Sequence, residues 1–230
     1  MAGLIRKSED GNWYPRPITQ LESLLGNAIY SGRGYEHCYA LKKNLAYNLQ
    51  YIEFQDRVLQ DIKLSSVLQT QTIKTIVLVG AGIVESILHF MLIVNKAHST
   101  TEWREKTKFK GNPKKVDGIQ VKIDTILYEK LDSPKLKHMT FDAMIKSAKA
   151  KFIFGKEAII YEKLEGLRVL RNKVHLQIIN EPTDTDWNSF DLMHLSDICK
   201  LLFVIFRNVF TPDKDQDAYF GYLKRNFINE

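Results

Sequence analysis

The chain contains very little cysteine, since Cys38 and Cys199 are the only two among its 230 residues. Two cysteines are too few for a disulfide framework, and their separation does not match a zinc-binding spacing. His, Asp and Glu form no metal-type cluster, and no Gly-rich loop ends in Lys followed by Ser or Thr. We therefore expect no metal and no cofactor, and a reducing, cytoplasmic compartment.

The first 17 residues also lack the apolar stretch of a secretory leader. Residues 76–94 are apolar enough to suggest a membrane span, but Glu85 and His89 lie near the middle. An ionised side chain at the centre of a bilayer costs roughly 3 kcal/mol. A buried helix of a soluble protein is the better interpretation, and we expect no contact with a membrane.

Hydrophobic residues make up 44% of the chain and charged residues 26%, as in ordinary soluble proteins. The length fits one large domain, or one domain with an appendage. The net charge of +6 permits contact with a polyanion without identifying one.

Most apolar residues recur at helical spacing. Residues 1–35 are interpreted as an N-terminal arm and a short helix, and residues 36–230 as a helical domain. A long amphipathic helix is predicted from residue 36 to about 62, and a second, capped by Ser65 or Ser66, to about residue 95. Three further helical segments are predicted, from residue 140 to 155, from 156 to about 179 and from 186 to 210. The fold class is therefore mainly α, a helical bundle.

Residues 103–125 differ from the rest and predict a small β-hairpin inserted in the bundle. The segments WREKTKFK and IQVKI alternate between polar and apolar residues, and GNPKKVDG between them carries turn residues. The hairpin is rich in lysine, with Lys108, Lys110, Lys114 and Lys115 as possible RNA contacts. A solvated hairpin whose lysines prevent edge pairing is the simpler interpretation.

The stretch TIVLVGAGIVESILHF has the first two glycines of a dinucleotide-binding turn, Gly80 and Gly82. The third small residue of that motif is replaced by Glu85, and no acidic residue follows a second strand downstream. A single helix is the better interpretation, with both glycines as contact points for a neighbouring helix. Glu85 then becomes a partly buried carboxylate that needs a basic partner.

That partner is expected in EKLEGLRVLRNKVHLQ, residues 162–177. At 100° per residue, Arg168, Arg171, Asn172 and His175 share one side of a helix, at the edge of its apolar stripe. An arginine there has two ordinary alternatives, since it can pair with Glu85 or with Glu165 on the same helix.

The segment LRVLRNKVHLQ resembles the signature of HEPN domains (higher eukaryotes and prokaryotes nucleotide-binding), in which an Arg, often followed by Asn, precedes a His. The apolar helix VGAGIVESILHFML is similar to an earlier core helix of such bundles. Three residues separate Arg171 from His175, one fewer than is usual. Six separate Arg168 from His175, which fits, but Asn172 does not follow that arginine. Which arginine is functional stays open.

The resemblance implies a homodimer with facing motifs and metal-independent RNA cleavage. A neutral imidazole such as that of His175 can deprotonate a ribose 2′-hydroxyl, and an arginine can stabilise the phosphoryl charge. Asn172 and Glu85 would then support the site. Related proteins include toxins and antiviral-defence effectors, so an antitoxin or regulatory partner is expected. The alternative is a non-catalytic interaction or nucleic-acid-binding module.

Overall fold

The computed structural model describes residues 12–175, 179, 181–209 and 219–224. It is 59% helix and 15% strand, which confirms the mainly α fold class. The described residues belong to two units, a helical unit from residues 1–97 and 141–230, and a β unit, residues 98–140. Residues 1–11 of the predicted arm lie outside the described part.

The helical unit begins with two amphipathic helices. Helix α1 spans Ile18–Gly26 and is followed by a 3₁₀ helix, Ser31–Arg33. Helix α2 spans Cys38–Asp61, close to the predicted limits. The buried apolar residues of α2 recur every three or four positions, as a helix with one face in the core requires: Leu41, Leu45, Leu49 and Ile52.

Helix α3 spans Ser66–Val94 and confirms that the glycine-containing stretch is one helix. It contacts α2 and each of the four later helices that the structure describes, so it forms the centre of the unit. By length and composition alone α3 could cross a membrane, but 61% of its most apolar window is buried within the bundle. That burial is typical of the core helix of a soluble protein.

The two glycines of α3 have different surroundings. A Cβ atom at Gly80 would lie 2.7 Å from Cγ1 of Ile198, which is too close for carbon atoms. Gly80 therefore permits a close approach of the helix that carries Ile198, as predicted. Gly82 is exposed and a Cβ there would meet nothing within 4 Å, so the prediction of a contact point is wrong for Gly82.

Among the residues that the structure describes, the second half of the helical unit contains four helices and a 3₁₀ helix. Tyr161 fixes the turn between the first two of them, since its hydroxyl donates to the carbonyl of Gly155 at 2.8 Å. The bounds are Phe141–Ala150 for α4, Ala158–Asn172 for α5, Asp186–Ser189 for α6, Leu192–Val209 for α7 and Gly221–Lys224 for the 3₁₀ helix.

Three predicted helices are shorter than their sequence pattern suggests. Helix α4 ends at Ala150 rather than at Gly155. Helix α5 ends at Asn172 rather than near residue 179, and residues 176–178 of the predicted helix lie outside the described part. The predicted helix from 186 to 210 is interrupted at Phe190, whose backbone is extended. Asp191 then accepts the backbone N–H of His194 at 2.9 Å, which caps the start of α7.

The β unit contains two antiparallel pairs of strands. Strand β1 (Thr100–Lys110) pairs with β4 (Asp124–Leu136), and β2 (Lys114–Val116) pairs with β3 (Ile119–Val121). The predicted pairing of residues 103–110 with 119–123 is therefore wrong, and the insertion is longer than 103–125.

The turn chemistry explains the observed register. Asp117 and Gly118 both have positive φ, 49° and 82°, as a two-residue hairpin turn requires. This turn sets Val116 opposite Ile119, and the pairing of β1 with β4 continues almost in the same register to Lys110 opposite Asp124. The Asp-Gly pair, rather than the preceding Asn-Pro, determines the tip.

Candidate functional site

The candidate site lies at the C-terminal end of α5, which packs against α3 through its apolar face. Ile160, Leu164 and Leu167 are buried along that face. Arg168 and Arg171 follow at its edge, where side chains reach the surface while their stems stay against the core. Their positions on α5 thus place two guanidinium groups beside neighbouring helices.

Arg171 forms an ion pair with Glu85 of α3. Its Nη2 donates to Oε2 of Glu85 at 3.2 Å, and the two side chains are 43% and 27% exposed. The prediction that Glu85 is partly buried and has a basic partner in this segment is confirmed. Since only Nη2 makes a hydrogen bond within the described residues, the other guanidinium donors of Arg171 can receive a further acceptor.

Arg168 pairs with neither of the acids considered from the sequence. Its Nε lies 3.4 Å from Oδ1 of Asp142 on α4. A hydrogen bond from Lys146, with the charges of Lys146 and Arg168, holds the pKa of Asp142 below its usual value. Glu165 lies instead 3.9 Å from Nζ of Lys149. Each arginine of the motif therefore has its own carboxylate, on a different helix.

His175 does not lie on the helix, which corrects the projection that aligned it with the arginines. After α5 ends, the backbone N–H of Val174 donates to Arg171 and that of His175 to Asn172, both at 3.2 Å. Such bonds between residues three apart bring their Cα atoms within about 7 Å. Asn172 and His175 are both exposed, in a tight turn directly after Arg171.

A third cation lies at this end of α5, and the sequence pattern does not predict its role. Nζ of Lys173 lies 2.9 Å from Oγ of Ser189 and 3.5 Å from Oδ1 of Asp184. These contacts tie the turn after α5 to the segment before α7 and favour the early helix end. No sequence signal links Lys173 to partners 11 and 16 residues away.

A second missed pair anchors α6 to α3. Lys74 is almost fully buried and its Nζ lies 2.8 Å from Oδ1 of Asp186, whose Oδ2 also accepts from Gln71 at 2.8 Å. A signal for this pair exists, because a lysine within the apolar run TIKTIVLV needs a partner. Its acid lies 112 residues away and cannot be chosen from the sequence.

The remaining histidines and cysteines have ordinary surroundings. His194, expected in the core, is half-exposed, with Nδ1 2.7 Å from Oδ1 of Asp191. The ring of His89 meets that of Tyr35 edge-on at 6.1 Å. Burial raises the pKa of Cys199 to about 12, so its thiol stays protonated at neutral pH. Among the described residues, no three His, Cys, Asp or Glu side chains form a group able to hold a metal ion.

The four lysines predicted as RNA contacts all lie in the β unit and are exposed. Lys108 lies 4.0 Å from Oδ2 of Asp124. Lys110, Lys114 and Lys115 form no ion pair within the part of the chain that the structure describes, so their charge is uncompensated locally.

Comparison with known proteins adds no relative: no family model, no curated protein and no solved structure matches the chain. The resemblance to HEPN domains therefore stays a prediction that depends on the motif residues in the sequence. The structure itself places an exposed imidazole, an exposed amide and an arginine paired with a carboxylate within residues 171–175.

Proposed function

We propose that the chain is a HEPN-like, metal-independent endoribonuclease that works as a homodimer. The observation that supports this best is the pair of Arg171 with Glu85, directly before a turn that exposes Asn172 and His175. A purely structural arginine would not need an exposed histidine four residues later. A cleavage site needs both groups within reach of one phosphodiester.

The reaction follows from these side chains. His175 removes the proton from a ribose 2′-hydroxyl, and the 2′-oxygen attacks the adjacent phosphorus. The bond from phosphorus to the 5′-oxygen breaks, and that oxygen takes up a proton. The products are a 2′,3′-cyclic phosphate and a 5′-hydroxyl, with no redox change and no metal required by the steps.

Arg171 stabilises the negative charge that develops on the phosphoryl oxygens. Glu85 orients the guanidinium through Nη2 and leaves other donors for the phosphate. Arg168, held by Asp142, is a second phosphate-binding candidate, and Asn172 orients the substrate or the imidazole.

In the homodimer, two copies of the motif face each other and form one composite cleft. We further propose a cytoplasmic toxin or phage-defence effector, which requires an antitoxin or regulatory partner to protect the host RNA.

The test is cleavage of RNA by the purified protein in EDTA, beside His175→Ala. His37→Ala is the matched control, since His37 is also an exposed histidine at a helix end. We expect cleavage that survives chelation, persists in His37→Ala and falls at least 10²-fold in His175→Ala. Equal cleavage by both variants would refute the assignment, and a strict monomer in sedimentation would refute the composite site.

One observation favours the alternative, a non-catalytic nucleic-acid-binding or interaction module. Both arginines already have a carboxylate partner, so each is balanced in the free protein. RNA binding without cleavage, unaffected by His175→Ala, would support that alternative.

A further inference from the structure

The β unit presents a face that combines aromatic rings with lysines. In an antiparallel pair, residues directly opposite each other point to the same side of the sheet. Trp103 is opposite Lys130, and Tyr128 is opposite Glu105, two positions away. The register continues this face toward the tip, and we call it the aromatic face: Trp103, Glu105, Lys108, Lys110, Asp124, Ile126, Tyr128 and Lys130.

The rings of the aromatic face are not used to build a core. Trp103 is 52% exposed and Tyr128 is 55% exposed. A two-stranded ribbon is only marginally stable in water, and burying large rings would stabilise it. Two half-exposed rings on one face therefore indicate a surface that binds a partner.

Charge decides the kind of partner. The β unit holds ten Lys and Arg against six Asp and Glu. Its acid Asp124 lies within ion-pair distance of both Lys108 and Lys122. On the face itself three lysines stand against Glu105 and Asp124. Lys110 and Lys130 form no ion pair among the described residues, so the face keeps a net positive charge and favours a polyanion.

The aromatic rings distinguish a single strand from a duplex. Unpaired bases expose flat faces that stack on aromatic side chains, while lysines contact the backbone phosphates. In a duplex those base faces are covered by neighbouring bases, and half-exposed rings gain little. Trp103 and Tyr128 are diagonal neighbours, about 7–8 Å apart, so one strand can reach both.

We propose that the aromatic face binds single-stranded RNA, with bases stacked on Trp103 and Tyr128 and phosphates on Lys108, Lys110 and Lys130. This proposal names single-stranded RNA as the substrate class of the proposed ribonuclease. It rests on that function only for the choice of RNA as the polyanion. Binding through stacking and charge is tolerant of base sequence.

The experiment measures fluorescence anisotropy of the full chain with a labelled 12-nucleotide RNA whose 2′-hydroxyls are all methylated, so that it cannot be cleaved by the proposed route. We expect the double variant Trp103→Ala/Tyr128→Ala to bind about 10- to 100-fold more weakly. Phe109→Ala is the matched control, because Phe109 is 56% exposed and opposite Thr125 on the other face. It is expected to bind within about twofold of the unmodified chain.

A second double variant, Trp103→Phe/Tyr128→Phe, keeps both rings and is expected to retain binding, which separates stacking from loss of the ribbon. Replacing Lys108, Lys110 and Lys130 by Gln should reduce the slope of log affinity against log salt by about 2. Unchanged affinity in the alanine double variant, an equal loss in Phe109→Ala, or equal competition by duplex RNA would overturn the proposal. Binding to phosphatidylserine vesicles but not to the RNA would overturn it as well.

This outcome is distinguishable from failure of the ribonuclease. RNA binding lost in the alanine double variant, with no cleavage by any form of the protein, refutes the nuclease and keeps the binding face. Cleavage in EDTA that needs His175, with binding unaffected by Trp103 and Tyr128, refutes the binding face and keeps the nuclease.

Discussion

Replacement of Arg171 by Gln separates a structural role of the ion pair with Glu85 from a role in phosphate chemistry. The two side chains are 43% and 27% exposed and share one contact of 3.2 Å. A solvent-exposed ion pair contributes about 0–1 kcal/mol to the free energy of unfolding. Leaving Glu85 half-buried without its partner brings the expected cost to about 1 kcal/mol.

That cost is small for a chain of this size. It corresponds to a decrease in Tm of about 2–4 °C, so the variant stays folded at 25 °C. Loss of a donor that stabilises transition-state charge reduces cleavage by about 10²- to 10³-fold. The structural and the catalytic interpretation of Arg171 therefore predict cleavage rates for Arg171→Gln that differ by about two orders of magnitude, while the stability of the variant is nearly the same under both.

The assay combines urea unfolding with RNA cleavage in EDTA for three variants. Lys163→Gln is the matched control, because Lys163 is also on α5, is 45% exposed and is paired with Asp197 at 2.8 Å. We expect Lys163→Gln to lose stability only, and Arg171→Lys to cleave poorly because an ammonium group lacks the bidentate fork. Arg171→Gln with full activity would refute the assignment of this arginine.

Two further predictions concern the stability of the helical unit. Gly82→Ala should raise the free energy of unfolding by about 1 kcal/mol, because alanine has the higher helix propensity. Gly80→Ala should lower it by about 1–2 kcal/mol, because the new Cβ atom would lie 2.7 Å from Ile198. Equal effects of the two substitutions in urea unfolding would contradict the packing at Gly80. Burial raises the pKa of Glu53 from 4.5 to about 7 although Arg16 lies 3.0 Å away. Between pH 4.5 and 7 the folded state holds this proton and the unfolded state does not. The free energy of unfolding should therefore fall across that range by about 3 kcal/mol relative to that of Glu53→Gln. Parallel pH profiles of the two proteins would show this to be wrong.

The sequence predicts those elements whose signal is local. Helices α2 and α3 follow from apolar residues at helical spacing, and the missing third glycine excludes the dinucleotide turn. The position of Glu85 in an apolar helix predicts a cationic partner, because burying a carboxylate without one is costly. Its contact with Arg171, 86 residues later, confirms that reasoning.

The elements that the sequence mispredicts depend on partners far along the chain or on single turn residues. The end of α5 depends on Lys173 reaching Ser189, and apolar periodicity continues past it without a signal. The strand register depends on positive φ at Asp117 and Gly118, whereas the sequence pattern predicts the whole of GNPKKVDG as the turn. Arg168 pairs with Asp142 because α4 packs beside α5, and the sequence pattern does not predict which helices pack together.

The distribution of paired and unpaired charge supports a division of roles between the two units. At the end of α5, Arg168 and Arg171 each have a carboxylate partner, so this region adds little net positive potential to attract RNA. The β unit holds ten Lys and Arg residues against six Asp and Glu residues, and its Lys110 and Lys130 form no ion pair among the described residues. Long-range attraction of a polyanion depends on such uncompensated charge, whereas catalysis depends on donors held in fixed positions by neighbouring groups. On the proposed function, the β unit therefore supplies the attraction for RNA, and the ion-paired arginine beside His175 supplies the chemistry.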